Sequence, residues 1–361
     1  MGQVEIKERY DVVIAGSGPA GAAAARALRG SGLKTVVIEQ CKLPRYKMCS
    51  GILFPPAVNF ITTNFGEMPE GILSRPSIVK GVRVYLTLDS PHFEGPLSSF
   101  DESEGLPENG LNIERAQLDH WLCSQSDALV IDDCRFEGFR EDDGDYTAQV
   151  RYSGEAIQIK ARYLVGADGT ISRVRKAAFP EFDKQVGLVP NYEEWYIGDI
   201  DLEPGWLYIF LDREITGYIA TVFHKDDEII VVTGVKKGES LKEYFRRFRA
   251  HLQDRHGLLI KEKTKNHGIT LTDMSARRNY CLGKGNVLLA GEAGGFLRGG
   301  EGITSSLISG KAAGEAILES FKSGEPAIEH YRQLASEETE TCNKVHQRME
   351  TNAGYNIFTR P

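Results

Sequence analysis

The chain has 361 residues, of which 41% are hydrophobic and 26% are charged, and its formal net charge is −8 at pH 7. This length supports one large domain or two joined domains with a sizeable core, and the composition is that of an ordinary globular protein. The acidic balance argues against a nucleic-acid-binding protein, which would carry a basic surface. The apolar stretches are too short for a transmembrane segment, and we expect no signal peptide because the N-terminus lacks a basic and apolar leader pattern.

The six cysteines stand at positions 41, 49, 123, 134, 281 and 342. They form no C-x-x-C pair, so we expect no zinc site, no iron–sulfur cluster and no other metal site. So few cysteines in a chain of this length also argue against a disulfide framework. We therefore expect a reducing, cytoplasmic setting in which most thiols are small core residues.

The first informative motif is the glycine-rich segment Gly16-Ser17-Gly18-Pro19-Ala20-Gly21. Before it, residues 10–15 predict a buried parallel strand, and after it residues 22–28 are an unbroken run of helix formers. A second apolar run at residues 35–38 predicts the next strand, which ends at Glu39. The pattern predicts a complete βαβ unit.

Each part of this unit suits a dinucleotide. Gly16 permits the tight turn, Gly18 lets a pyrophosphate approach the backbone, and Gly21 lets the helix pack closely on the strand. The helix N-terminus offers free N–H groups and a positive dipole end to the phosphates. Glu39 can accept hydrogen bonds from the adenosine ribose. The alternative is a glycine-rich turn without a ligand, which the correct placement of strand, helix and acidic residue disfavours.

Two further glycine-rich segments follow strand-like runs, namely Gly166-Ala167-Asp168-Gly169 and Gly291-Glu292-Ala293-Gly294-Gly295. After the third segment, Gly300-Glu301-Gly302 opens a helix that we predict from Ile303 to about Phe321. A domain that binds only NAD needs neither segment. The three segments in this order therefore indicate FAD, held across most of the chain.

The three segments resemble the motifs of the large FAD family that includes para-hydroxybenzoate hydroxylase, the flavin-dependent halogenases and the geranylgeranyl reductases. The resemblance covers roughly residues 9–322 and implies an α/β fold. In that fold a Rossmann-like FAD-binding domain of the para-hydroxybenzoate hydroxylase type carries an inserted antiparallel-sheet substrate domain. It implies non-covalent FAD as the cofactor.

The resemblance also implies which residues contact FAD. Asp168 and Gly169 would help to hold the flavin, and Glu292 would reach the ribityl chain. The helix start after Gly300 would point at the O2 and N1 edge of the flavin, where a helix N-terminus stabilises negative charge. Arg115 would lie against the ribityl or phosphate region. The expected FAD contacts are Gly16, Gly18, Pro19, Ala20, Gly21, Glu39, Gln40, Arg45, Cys49, Arg115, Asp168, Gly169, Glu292, Gly300, Gly302 and Ile303.

Two departures from the family pattern concern the flavin pocket. Glu292 stands where the family usually has Asp, so its carboxylate extends one methylene further. The loop at residues 295–300 is shorter than usual and lacks its proline. Arg298 in this loop is a candidate electrostatic partner of the flavin, and the alternative is a solvated loop arginine.

The residue pattern changes after the second glycine-rich segment. Residues 195–235 contain runs of aromatic and β-branched residues at hairpin spacing, and an amphipathic helix is predicted at Leu241–His256. This pattern predicts an antiparallel sheet covered by helices. Trp206 and Tyr208 alternate, so they project from one face. Either they line the substrate cavity, as a similar segment does in the geranylgeranyl reductases, or they belong to a core strand.

The segment Pro44–Gly51 is similar to the stretch of the geranylgeranyl reductases that passes near the isoalloxazine ring, and Cys49 matches its cysteine. We therefore expect Cys49 in contact with that ring, where a thiol beside N5 could deliver a proton or guard the flavin. The alternative is an inert buried cysteine. The candidate catalytic residues are Cys49, Trp206, Tyr208 and Arg298.

The positions of the motifs predict the domain organisation. A discontinuous FAD-binding domain is expected at residues 1–80, 100–185 and 275–335. The substrate-binding domain is expected at residues 81–99 and 186–274, and a helical tail at residues 336–361.

The resemblance favours a FAD-dependent oxidoreductase closest to the geranylgeranyl reductases, which reduces a C=C bond or similar group of an apolar or conjugated small molecule by hydride transfer from flavin N5. One alternative is monooxygenation through a flavin hydroperoxide, and another is an electron carrier or redox-responsive flavoprotein without turnover. Halogenation is disfavoured because the lysine-bearing halogenase motif is not recognisable. The chain has no second G-x-G-x-x-G segment, so the electron donor is NAD(P)H bound transiently, or a ferredoxin or reductase.

Overall fold

A computed structural model of the chain describes residues 6–97 and 106–352. These residues form two compact units. The first unit contains the described residues up to Arg45 together with Ala116–Val186 and Met274–His346. The second unit contains the described residues of Tyr46–Arg115, Gly187–Asp273 and the residues after His346.

The strands in chain order are β1 (Val12–Ala15), β2 (Thr35–Ile38), β3 (Ile52–Leu53), β4 (Leu73–Val79), β5 (Gly81–Tyr85), β6 (Phe93–Gly95), β7 (Gly110–Ile113), β8 (Leu129–Ile131), β9 (Cys134–Asp142), β10 (Asp145–Tyr152), β11 (Glu155–Ala161), β12 (Tyr163–Gly166), β13 (Leu188–Asp199), β14 (Trp206–Phe210), β15 (Ala220–Lys225), β16 (Glu228–Gly234), β17 (Leu259–Thr272), β18 (Gly283–Lys284) and β19 (Val287–Leu289). The helices are α1 (Pro19–Ala27), α2 (Pro55–Phe65), α3 (Arg115–Ser124), α4 (Arg173–Ala178), α5 (Pro180–Asp183), α6 (Leu241–His256), α7 (Ile303–Ser323), α8 (Ala327–Leu334) and α9 (Ser336–Asn352).

The first unit is built on a six-stranded sheet with the order β18-β19-β12-β1-β2-β8. Its strands are parallel, apart from the short edge strand β18. Every residue of β1, β2, β12 and β19 is buried, because layers cover both faces of the sheet. Helices α1, α7 and α8 cover one face, while α4 and the three-stranded sheet β11-β10-β9 cover the other.

Helices α1 and α7 of this unit pack closely through small residues. A methyl group added to Gly310 of α7 would lie 2.1 Å from the carbonyl oxygen of Ala20. One added to Gly314 would lie 2.7 Å from the carbonyl oxygen of Ala24. Both distances are too short for a real contact, so only glycine permits this approach. Helix α7 thereby fixes the helix that follows the first glycine-rich segment.

The second unit is built on a seven-stranded sheet with the order β17-β13-β16-β15-β14-β5-β6. Its neighbouring strands are antiparallel except for the parallel pair β14 and β5. Helix α6 covers one face and buries Phe245, Phe248 and Leu252 there. The opposite face holds a separate apolar core that includes Trp195 and, from β3, Ile52.

The structure confirms the predicted α/β fold, with a Rossmann-like parallel sheet and a separate sheet that is mostly antiparallel. It also confirms the predicted helix at Leu241–His256. The side chain of Ser240 accepts a hydrogen bond from the backbone N–H of Glu243, and Gly257 ends the helix in the left-handed region at a φ of 62°.

The second unit begins earlier in the chain than the predicted substrate domain does. Residues 46–80, assigned by the sequence to the FAD-binding domain, lie in the second unit. The physical reason is strand pairing, because β3 and β4 both pair with β7, and their residues share a core with the seven-stranded sheet.

Residues 1–5, 98–105 and 353–361 of the predicted ranges lie outside the described residues. Within residues 6–97 and 106–352, no helix combines the length and the apolar character that crossing a membrane requires.

Candidate cofactor and substrate sites

The first glycine-rich segment forms a tight turn between β1 and α1. Gly16 has a φ of 105°, and a methyl group added there would lie 2.3 Å from the carbonyl oxygen of Ala167. One added to Gly21 would lie 1.9 Å from the carbonyl oxygen of Gly16. At Gly18 the nearest atom is instead Nη2 of Arg45, at 3.6 Å from the added methyl group. The turn therefore requires Gly16 and Gly21, while the open side of Gly18 faces a cation.

The N-terminus of α1 is left without a side-chain cap. Gly18 is the N-cap residue in an extended conformation, and Pro19 occupies the first turn. Uncapped N–H groups and the positive end of the helix dipole attract an anion. With the guanidinium of Arg45 beside Gly18, this end of α1 suits a pyrophosphate.

The carboxylate of Glu39 joins several parts of this site. Its Oε2 accepts hydrogen bonds from the backbone N–H and the hydroxyl of Ser17, at 3.1 and 2.7 Å, and its Oε1 accepts one from the backbone N–H of Cys41 at 3.0 Å. Nε of Arg45 lies 3.2 Å from Oε2, and Nη1 of Arg45 lies 3.2 Å from Asp119. Burial opposes ionisation, but the Arg45 guanidinium and these hydrogen bonds hold the pKa of Glu39 below its usual value.

The carboxylate of Glu39 therefore holds the glycine turn in place through Ser17, in addition to standing at the end of β2, where the sequence predicts ribose binding. Asp119 is the second carboxylate on Arg45. Gln40, another expected FAD contact, is exposed beside them.

In the second glycine-rich segment, Asp168 caps a helix. Its carboxylate accepts hydrogen bonds from the hydroxyl of Ser172 at 2.6 Å and from the backbone N–H groups of Arg173 and Val174 at 2.7 and 3.2 Å. The side chain thus holds the start of α4. Gly169 follows with a φ of 76°, and a methyl group added there would meet no atom within 4 Å.

A buried arginine joins the second segment to the third. The guanidinium of Arg175 donates to the carbonyl oxygens of Thr170 at 2.8 Å and Ala293 at 3.0 Å, and it pairs with Asp183 at 2.9 Å. Sequence reasoning did not assign this role to Arg175. The only sequence signal for this role is a basic residue shortly after the glycine-rich segment.

The third segment leads into α7, whose first amides already have a partner. Glu292 is half-buried in a short turn at Gly291–Ala293. One carboxylate oxygen of Glu301 accepts hydrogen bonds from the backbone N–H groups of Ile303 and Thr304, at 2.8 and 2.9 Å. The amide of Ile303, expected to face the flavin, is therefore bonded within the chain, because a glutamate directly precedes the Gly302 N-cap and folds back onto the helix start.

Arg298 is buried rather than solvated. Its Nε lies 2.8 Å from Oε1 of Glu338 on α9, and its Nη2 contacts the other carboxylate oxygen. Arg298 is 9% exposed and Glu338 is 2% exposed. The alternative of a solvated loop arginine is therefore wrong. Because Glu338 balances its charge, Arg298 can act on the flavin only as part of an ion pair.

The aromatic side chains of Trp206 and Tyr208 on β14 face helix α6. Tyr208 is buried in the core beneath α6, where its hydroxyl accepts a hydrogen bond from Nη1 of Arg83 at 2.9 Å and donates one to the carbonyl oxygen of Glu203 at 3.1 Å. The ring of Trp206 lies 4.3 Å from the Arg83 guanidinium. These placements favour the core alternative for Tyr208. Trp206 also borders a small cavity lined by Ile52, Pro76, Val79, Asn112, Gly205, Phe223 and His224.

The other face of the same sheet brings together polar groups that the sequence did not connect. Glu193 and Trp195 project from β13, Lys225 from β15, and the chain segment of Tyr46 and Cys49 lies in the same unit. We call this set of five residues the Tyr46 face. Sequence reasoning found only Cys49. Glu193, Trp195 and Lys225 come from strands far along the chain, and Lys225 is 179 positions from Tyr46.

Two hydrogen-bonded groups define the chemistry of the Tyr46 face. The hydroxyl of Tyr46 donates to Oε1 of Glu193. Nζ of Lys225 donates to Oδ1 of Asn112 at 2.8 Å and to the carbonyl oxygen of Ile113 at 2.5 Å. Burial raises the pKa of Glu193 to about 7 and lowers the pKa of Lys225 to about 8. The face thus combines a carboxyl and an amine that both titrate near neutrality.

Cys49 is half-buried at this face. Its Sγ accepts a hydrogen bond from the backbone N–H of Gly51 at 3.4 Å, and it is among the ionisable groups that act on Lys225. Gly51 itself needs glycine, because its φ is 66° and an added methyl group would lie 2.5 Å from Nζ of Lys225. The segment that carries Cys49 is therefore fitted closely against the lysine.

Two family models match the chain, and each is described as a FAD binding domain. One matches residues 115–295, which is half of the chain, and the other matches residues 11–54. The chain belongs to this FAD binding domain family, and its cofactor is FAD. It is a flavoprotein of the FAD-dependent oxidoreductase and monooxygenase class.

Relatives in sequence carry the name Protein CbrA. The protein of Escherichia coli (strain K12) is 29% identical over 315 residues, which are 84% of this chain and 82% of that protein. The protein of Shigella dysenteriae serotype 1 (strain Sd197) is 29% identical over 324 residues, which are 86% of this chain and 85% of that protein.

Several solved structures share the fold. A geranylgeranyl bacteriochlorophyll reductase-like protein from Thermoplasma acidophilum is similar with a TM-score of 0.82 at 20% identity, over 97% of this chain and 89% of that chain. The flavin-dependent halogenase CmlS gives 0.71 at 16% identity, over 98% of this chain and 66% of that chain. The p-nitrophenol 4-monooxygenase PnpA from Pseudomonas putida DLL-E4 gives 0.68 at 16% identity, over 97% and 94%. At these identities the likeness shows the fold alone.

The residues of the first unit fit FAD. The turn at Gly16 and Gly21 has no room for a side chain, the start of α1 is uncapped, and Arg45 borders Gly18. These are the features that a pyrophosphate requires. The carboxylate of Glu39 lies directly after β2, where the sequence predicts a contact with the adenosine ribose.

Proposed function

We propose that this flavoprotein reduces a C=C bond, or a similar group, of an apolar or conjugated small molecule by hydride transfer from flavin N5. The observation that carries the proposal is the Tyr46 face of the second unit. It sets a few titratable groups, of which Tyr46 and Cys49 are half-buried, beside an aromatic and aliphatic core, which suits an apolar substrate with one reacting group. The fold likeness to the geranylgeranyl bacteriochlorophyll reductase-like protein supports it.

The residues have separate roles in this proposal. The glycine turn and the start of α1 bind the pyrophosphate of FAD, and Glu39 binds the adenosine ribose. Arg115, Asp168, Gly169, Glu292, Gly300 and Gly302 complete the cofactor site. Bound FAD, once reduced by the electron donor, would supply the hydride. The Tyr46 face orients the substrate, and Cys49 lies within contact range of the isoalloxazine ring. The electron donor is NAD(P)H, or a ferredoxin or reductase.

A second candidate function is monooxygenation, which the fold likeness to p-nitrophenol 4-monooxygenase favours. The two functions differ in their need for oxygen. A reductase converts its substrate without oxygen, whereas a monooxygenase consumes oxygen in step with product.

The proposal is tested with FAD-loaded protein that has been reduced under argon. The reduced protein is mixed with the isoprenoid geranylgeraniol, with 2-cyclohexenone and with p-nitrophenol, and flavin absorbance is followed. Anaerobic reoxidation by geranylgeraniol or the enone supports reduction. Reoxidation that needs oxygen and is faster with p-nitrophenol supports monooxygenation. Reoxidation only by protein or dye acceptors indicates an electron carrier.

A further inference from the structure

Glu193 is a buried carboxyl whose charge has little compensation. It has no solvent exposure. Its Oε1 accepts the hydrogen bond from Tyr46, whereas its Oε2 is buried and has no hydrogen-bond partner within the described chain. Within that same part of the chain, no basic side chain lies within ion-pair distance of it. A carboxylate in such a place is costly, so the protonated form is favoured.

The next residue on β13 shows what a compensated carboxylate looks like. Glu194 projects from the opposite face, where its oxygens accept hydrogen bonds from the hydroxyls of Tyr192 and Tyr196. Lys263 lies 3.4 Å from one of its oxygens, and Arg249 lies 3.6 Å from the other. Adjacent glutamates on one strand thus have opposite electrostatic settings, which makes Glu194 a matched control.

The charges around Glu193 do not restore its ionised form. The titratable groups around Glu193 and Tyr46 are Cys49 on the same segment as Tyr46, Glu114 after β7, Lys225 on β15, and Lys265 and His267 on β17. The ammonium of Lys225 donates hydrogen bonds to Asn112 and to the carbonyl oxygen of Ile113. The ammonium of Lys265 pairs with Glu228 at 3.1 Å. Burial raises the pKa of Glu193 to about 7, because it outweighs the Tyr46 hydroxyl, the Trp195 indole and both lysines, which all favour the carboxylate.

Tyr46 connects this carboxyl to the surface of the sheet. It is half-buried, and its ring stacks on the exposed ring of His267 at a centroid distance of 4.0 Å. His267 stands opposite Glu193 in the register of β13 and β17. The hydroxyl of Tyr46 is therefore the first group that a proton leaving Glu193 meets.

We propose that Glu193 and Tyr46 form a proton-donating site, in which Glu193 stores a proton and Tyr46 delivers it to the substrate. The inference rests on the proposed reduction, which consumes a proton for every hydride. Tyr46 is the catalytic residue in this scheme, and Glu193 acts through it as a positioning and proton-storing residue.

The step balances without a further reagent. The double bond of the substrate gains a hydride, which FAD reduced by the electron donor would supply, at one carbon, and the electron pair of the double bond forms a C–H bond at the other. The proton for that bond leaves the Tyr46 hydroxyl. The Tyr46 oxygen then takes the proton of the Glu193 carboxyl, and a proton from solvent returns to the Glu193 carboxylate through the half-buried Tyr46.

The first test does not depend on substrate. Infrared difference spectra of FAD-loaded, full-length protein are recorded from about pH 5 to about pH 9, a range around the raised pKa of the carboxyl. We expect the band of a protonated carboxyl to disappear with a midpoint near pH 7. The band should be absent from Glu193→Gln and kept by Glu194→Gln. A wild-type spectrum without this titration, or a titration that persists in Glu193→Gln, would overturn the proposal.

The second test uses reduced protein and the probe geranylgeraniol. Removing a general acid should slow product formation by about 100-fold or more, so Glu193→Gln and Tyr46→Phe should both show this loss. The wild-type rate should fall as the pH rises past about 7, because the carboxyl then loses its proton, and this pH dependence should vanish in Glu193→Gln. Flavin absorbance shows that each variant still holds FAD.

The outcomes separate the two proposals. If wild-type protein reduces none of the probes, the proposed reduction fails, while the infrared titration still decides whether Glu193 stores a proton. If wild-type protein reduces geranylgeraniol and Glu193→Gln does so at the same rate and with the same pH profile, the proton-donating site is wrong although the reduction stands.

Discussion

The Glu39 side chain anchors the glycine turn through Ser17, and we propose that it also binds the adenosine ribose of FAD. We predict that Glu39→Ala weakens FAD binding by about 1.5–3 kcal/mol, because charge-assisted hydrogen bonds to the ribose are lost. Titration of apoprotein with FAD measures the change. Glu181→Ala, at a highly exposed position of the same unit, is the control and should bind FAD as the wild type does. An unchanged dissociation constant in Glu39→Ala would show that other groups hold the ribose.

Cys49 is the second residue that decides how the site works. We predict that Cys49→Ser alters the flavin absorbance spectrum or reduction potential while the fold survives, because the proposed function puts the thiol within contact range of the isoalloxazine ring and serine is nearly isosteric. The Gly51 amide that donates to Sγ can still donate to a hydroxyl oxygen. Cys134→Ser, in the core of the first unit, is the control for a general effect of losing a thiol. A spectrum and potential identical to the wild type would exclude contact with the ring.

Residue roles could be predicted from the sequence only where a local motif carries them. Glu39 follows from its place at the end of a strand in a βαβ unit. The Arg298–Glu338 pair spans 40 positions and the Tyr46–Glu193 pair spans 147, so neither is visible in any local pattern. Such pairs depend on burial and on strand pairing, which a single sequence does not reveal.

At the scale of elements, the packing of α7 on α1 positions the FAD site. We predict that Gly310→Ala lowers stability by about 1–3 kcal/mol and weakens FAD binding, because the added methyl group would push against the carbonyl of Ala20 in the glycine turn. Denaturant unfolding and FAD titration measure the two effects. Gly71→Ala is the control, since a methyl group there meets nothing within 4 Å. A Gly310→Ala protein with wild-type stability would mean that the two helices can separate without cost.

Elements with strong local signals were predictable and the order of strands was not. Helix α6 has a Ser240 cap, an apolar stripe and a Gly257 stop, and its bounds follow from these. The parallel pairing of β5 with β14 joins strands more than 100 residues apart and carries no local signal. For the same reason the sequence grouped residues 46–80 with the FAD-binding segments, whereas strand pairing groups them with the second compact unit.

At the scale of the whole molecule, three glycine-rich segments predict both FAD and the fold, because each follows a strand of the parallel sheet and a dinucleotide binds at the carboxyl edge of such a sheet. The substrate has no comparable signature. The face proposed to bind it, the Tyr46 face, is assembled from β13, β15 and a loop, so no local pattern in the sequence marks it. Fold likeness does not fill this gap, because reductase-like proteins, halogenases and monooxygenases share the architecture.

The most direct measurement of the central claim is the mass of the product that FAD-loaded, reduced protein forms from geranylgeraniol, under argon and under isotopically labelled oxygen. We expect a product that gains two hydrogens and carries no oxygen label in either atmosphere. A product that forms only under oxygen and carries the oxygen label would contradict it.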